Sequence, residues 1–91
     1  VSAPPKIARE AIAEEILRLA ALRGAAKSIC PSEVARSLAA DEAAWRQLLG
    51  PVREAAGGLA RQGRIDVLRK GKPVDPEEQI RGVIRLRIRS P

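Results

Sequence analysis

The lone cysteine, Cys30, stands directly before Pro31 in "KSICPSEVARSL", and the chain contains no histidine. A thiol ahead of a first-turn proline lies where a helix N-terminus favours thiolate, which makes Cys30 the candidate redox-responsive side chain. The competing role is that of a small buried apolar residue. Without histidine, Ser–His and Cys–His nucleophile pairs are excluded, and the commonest transition-metal ligand is missing. One thiolate does not build a zinc site. Carboxylates adjoin at Glu14-Glu15, Asp41-Glu42 and Glu77-Glu78, but adjacent residues on a helix point apart and do not flank a substrate. Phosphate-loop and dinucleotide glycine patterns do not occur. The expectation is a protein that is not an enzyme and uses neither cofactor nor metal.

The remaining chemistry is cationic. Seventeen Lys and Arg face eleven Asp and Glu, a formal +6 over 91 residues. Residues 1–60 hold eight basic and seven acidic side chains, a net +1, whereas residues 61–91 hold nine and four, a net +5. A surplus gathered at one end favours an anionic partner such as nucleic acid. The closing "GVIRLRIRSP" alternates Ile84, Leu86 and Ile88 with Arg85, Arg87 and Arg89, so a strand here is apolar on one face and cationic on the other. Those arginines lie about 6.8 Å apart along the strand. Their mutual repulsion in water is about 0.6 kcal/mol per neighbouring pair. So small a cost needs no polyanion, and Asp66 on the partner strand is placed to offset it.

Five segments must position these groups. "PKIAREAIAEEILRLAALRG" repeats Ile12, Ile16 and Leu19 at helical spacing, with Pro5 at its opening and Gly24 past its end; Glu10, Glu14 and Arg18 take the wet face. Lys27 to Cys30 reads as a short strand. A second helix opens at Pro31, with Glu33 in its first turn and Val34 and Leu38 inward. "DEAAWRQLLGP" reads as a short helix capped by Asp41 and stopped at Gly50-Pro51, with Trp45 in the core and base stacking as its alternative role. "PVREAAGGLARQG" then forms a separate helix over 51–62 that docks through Val52, Ala56 and Leu59 and presents Arg53, Glu54, Gly57, Gly58 and Arg61 outward. Two strands end the chain, around Ile65-Val67 and Ile84-Ile88, joined by a long loop from Lys70 to Gly82 in which "DPEE" makes one capped turn. Ser28 and Ser32 read as turn or capping residues.

The segments "ICPSEVARSL", Trp45, "VREAAGGLARQGRIDVLRKGKPVD" and "RGVIRLR" resemble a family of short bacterial proteins known only as a domain of unknown function. The resemblance implies a winged-helix fold and brings no reaction or ligand with it. The expected architecture is therefore α+β, one domain over residues 1–91 with a flexible start at 1–5. It is a winged helix-turn-helix with an extra short helix before the recognition helix and a C-terminal two-stranded wing.

No apolar run reaches bilayer length, and "VSAPPKIARE" lacks the apolar core of a signal peptide, so a cytoplasmic protein is expected. The expected activity is non-catalytic binding of double-stranded DNA. Arg53 and Arg61 on helix 51–62 and Arg69, Lys70, Lys72 and Arg81 in the wing would contact mainly phosphates, with little base reading. The alternative is a protein-interaction module on the same fold.

Overall fold

Three helices and three strands follow one another: α1 Arg9–Arg23, α2 Pro31–Leu38, α3 Glu42–Arg61, β1 Ile65–Arg69, β2 Lys72–Pro73 and β3 Arg85–Ile88. The computed structural model describes residues 7–89; the expected flexible start at 1–5 and the expected role of Pro5 lie outside them.

Helix α1 buries Ile12, Ile16 and Ala20, while Leu19 stays half-buried. It opens at Arg9 and ends at Gly24, whose φ of 94° suits a residue without Cβ. The wet face pairs differently from expectation. Arg18 donates from Nε and Nη2 to Glu15 at 2.7 and 2.6 Å, a bidentate pairing at i,i+3. Those bonds, with a smaller contribution from Ser37, lower the Glu15 carboxyl to about 2. A carboxyl whose folded pKa lies below its unfolded value stabilises the fold above the unfolded pKa and loses that effect as pH falls. Urea unfolding should therefore show stability dropping between about pH 4.5 and pH 2. Glu15→Gln should flatten the curve in that window; an unchanged slope would assign the loss to other carboxylates.

In α2 the N-cap is Cys30 and Pro31 is the first helical residue, as expected. Glu33 accepts the Cys30 N–H at 2.7 Å and Arg23 Nη2 at 2.6 Å. The backbone bond first, and Arg23 beside it, hold its carboxyl below the usual range.

Helix α3 corrects the expected break at Gly50-Pro51. One helix of 20 residues runs through Pro51, so no extra short helix precedes it. Proline costs a helix interior about 3 kcal/mol because it lacks the N–H and crowds the preceding turn. Two features offset that here. Gly50 has no Cβ to meet the proline ring, which relieves the restriction on the residue before a proline. Leu48 and Val52 bury themselves one turn apart on either side of it, together with Ala55, Ala56, Leu59 and Ala60, so both halves must face the same core. Asp41 caps the start, accepting the Ala44 N–H at 3.2 Å.

The sheet is antiparallel in the order β2-β1-β3, and β2 falls inside the segment from Lys70 to Gly82 that was expected as a loop. Asp66 lies opposite Arg87, and Val67 opposite Leu86. On the far side of β3 a single bridge joins Leu86 to Ile29, which is all that forms of the expected strand at 27–30. Ile12, Ile16, Ile29, Val34, Val52, Leu59, Ile65, Ile84 and Leu86 close the core between the helices and the inner sheet face. The result is a small α+β protein, compatible with a winged-helix-like arrangement.

Candidate nucleic-acid interface

The connection from Lys70 to Gly82 is not one loop. β1 and β2 form a tight hairpin with Arg69 opposite Lys72, so only Lys70 and Gly71 make the turn. Their φ values, 53° and 80°, are both positive, the geometry that matches the right-handed twist of the flanking strands. The turn gathers Arg69, Lys70 and Lys72 at its tip, and none of the three has an acidic partner within ion-pair distance among the described residues.

The chain then runs back along β1, where Val74 N–H donates to the Val67 carbonyl at 2.8 Å. Only after that does "DPEE" make its turn, with Asp75 accepting the Glu77 N–H on its side chain and the Glu78 N–H on its carbonyl. Three residues of strand rise separate Lys72 from Asp75, about 10 Å. That exceeds the Debye length of about 8 Å in physiological salt. Counted along the sequence the loop is nearly neutral; along its course Arg69, Lys70 and Lys72 come first, at the hairpin, and Asp75, Glu77 and Glu78 follow with Arg81 beyond them. Arg81 is exposed in the loop that leads to β3, and its Nη2 donates to Gln79 Oε1 at 3.3 Å. Two residues on, Val83 shares a shallow apolar slot with Leu68, Lys70 and Gly71 at the hairpin tip.

The expected open face of α3 is covered in part. Arg53 Nη1 donates to the Gly82 carbonyl at 3.0 Å, so this arginine straps the loop rather than projecting freely. Gly57 is buried: a Cβ placed on it would stand 3.2 Å from Ile80 Cδ1. Glu54 pairs with Arg9 at 3.3 Å, both side chains open to solvent. Arg61 remains exposed as expected. The cause is long-range, since residues 78–82 fold over the helix. Because α3 is continuous, its exposed side also includes Arg46 and Gln47, which the expected break had assigned to another helix.

The arginine row of β3 is largely tied down. Arg85 donates to the Ser28 hydroxyl at 2.6 Å and to its carbonyl at 2.9 Å, which gives Ser28 its structural role. Arg87 bonds Asp66 at 3.1 Å, and Arg89 stands 3.9 Å from the same carboxylate. Asp66 thus offsets the like-charge repulsion, as its position on the partner strand implied.

Trp45 is half-buried against the core, with the guanidinium of Arg36 at 4.7 Å and that of Arg46 at 5.6 Å from its ring centre. Cys30 is likewise half-buried, and its sulfur accepts the Ser32 hydroxyl at 3.1 Å. No group of three or more metal-ligating side chains occurs among the described residues. No described helix is long and apolar enough to cross a membrane.

These elements define a small α+β protein in which Arg69, Lys70 and Lys72, three of its cations without an acidic partner among the described residues, sit together at a hairpin tip. The chain belongs to the family described as "Protein of unknown function (DUF3253)", whose model matches residues 9–89. No curated protein matches the chain.

Proposed function

We propose that the chain is a cytoplasmic winged helix-turn-helix protein that binds duplex DNA without catalysis. Binding acts chiefly through phosphate contacts from the hairpin, with α3 turned toward the major groove. The tight Lys70-Gly71 turn carries this reading, because it brings together three cations that have no acidic partner within ion-pair distance among the described residues. Arg61 and Arg81 add charge around it, while Arg53 contributes by holding the loop in place. Base reading is slight: Gly57 is roofed over and Glu54 repels phosphate. Binding of this kind depends on counterion release and falls steeply with salt.

A low-salt mobility-shift titration on duplex DNA, single-stranded DNA and RNA tests the proposal. Unrelated duplexes should shift alike at about 50 mM salt and lose most of that binding by about 200 mM. No shift of any duplex at low salt would refute it. One observation favours the second reading, a protein-interaction module: the groove above α3 mixes charges, with Arg9, Arg53 and Arg61 beside Glu54 and Glu78, as protein surfaces commonly do. Absence of binding to all three nucleic acids would leave that module as the better account.

A further inference from the structure

Three arginines from two elements converge on the groove between α3 and the returning loop. Arg9 reaches it from α1, and Arg53 and Arg61 from α3 two turns apart, about 12 Å along the helix axis. That separation is close to twice the spacing of successive phosphates on a strand. The floor is small and smooth: Gly50 leaves open space, and Gly57 admits only the tip of Ile80. Glycine at position 57 lets Ile80 seat against the helix, and Gly50 leaves the other end of the floor open.

Two carboxylates occupy the same groove. Glu54 pairs with Arg9 at 3.3 Å, but both side chains are about 70% exposed (72% and 71%), where such a pair contributes little and yields readily. Glu78 lines the groove from the loop, and no cation stands within ion-pair distance of it among the described residues. The loop that carries it is held down by two contacts only a few residues apart, Arg53 on the Gly82 carbonyl and Ile80 over Gly57.

We infer that this groove is a second phosphate-binding site for nucleic acid, which the chain fills with its own carboxylates, Glu54 and Glu78. The inference rests on the DNA-binding reading and assigns α3 a role there. Backbone phosphates take the place of Glu78 in the groove that Arg9 and Arg61 line with it, while Arg53 keeps its bond to the Gly82 carbonyl. The hairpin supplies the first hold, and the groove strengthens it once the acidic turn moves aside.

The test compares two variants of equal charge. Glu78→Gln removes the carboxylate that lines the groove, whereas Glu77→Gln removes its exposed neighbour, which does not line it. A single charge about 7 Å away in water changes affinity about threefold. Fluorescence anisotropy on a random duplex at low salt should give Glu78→Gln about threefold tighter binding than the wild type, with Glu77→Gln close to the wild type. Adding Arg61→Ala to Glu78→Gln should erase the gain.

Equal tightening by both variants would reduce the effect to net charge and overturn the inference, leaving hairpin binding intact. No binding by any form would remove the inference together with the DNA reading.

Discussion

Leu86→Ala is expected to destabilise the fold by about 2–5 kcal/mol, as large-to-small changes at fully buried positions do. For 91 residues the whole stability is about 5–14 kcal/mol, so this one change removes a large share of it. Leu86 has no exposed surface and sits where three parts of the molecule meet. Its backbone exchanges both hydrogen bonds with Ile29, at 2.7 and 2.8 Å, and Val67 pairs with it across β1. Its side chain points into the core shared with Ile12 and Ile16 of α1. Truncation keeps the backbone bonds and leaves a cavity that two helices and a sheet cannot all close. The thermal midpoint should fall by about 8–40 °C. Ile88→Ala, near the half-buried end of the same strand, should cost clearly less. Equal losses would mean that the strand end is packed as tightly as its centre.

What the sequence showed of this fold depended on period. The alternation of Ile84, Leu86 and Ile88 with arginines identified β3, because strand side chains repeat every two residues and the register sets which face is buried. Ile12 and Ile16 marked α1 for the corresponding helical reason. Local rules failed where a tertiary contact outweighs them. Gly50-Pro51 has the signature of a helix end, yet Leu48 and Val52 need one continuous face to fill one core. The hairpin tip was hidden for a different reason: Lys70 takes a positive φ that lysine seldom adopts, so Lys-Gly-Lys-Pro gives little turn signal.

The candidate site divides along the same line. Lys70 and Lys72 are exposed and Arg69 half-buried, a placement legible without knowing the turn because long cationic side chains keep their charged ends in water. Arg53 and Gly57 were misplaced, since their partners lie 29 and 23 residues further on, at Gly82 and Ile80. Helical spacing says which side of α3 faces away from the core. It says nothing of a loop that returns to cover part of that side.

Replacing Arg69, Lys70 and Lys72 together by alanine should then produce the largest functional change. Each phosphate contact contributes about 0.9 to the slope of log affinity against log salt. Across the twentyfold range from 1 M down to about 50 mM salt, one contact is worth about fifteenfold, and three contacts on the order of 10³-fold. The triple variant should bind duplex DNA on the order of 10³-fold more weakly at about 50 mM salt, with a slope smaller by about 2.7. The loss should be alike for unrelated sequences, because phosphates carry no base identity. The fold should persist, since Lys70 and Lys72 are exposed, Arg69 is half-buried, and none of the three belongs to the core. An unchanged circular dichroism spectrum and thermal midpoint check that point. Unchanged affinity and slope in a folded triple variant would take the hairpin out of the interface, and the gathering of its three cations at the turn would then serve only solvation.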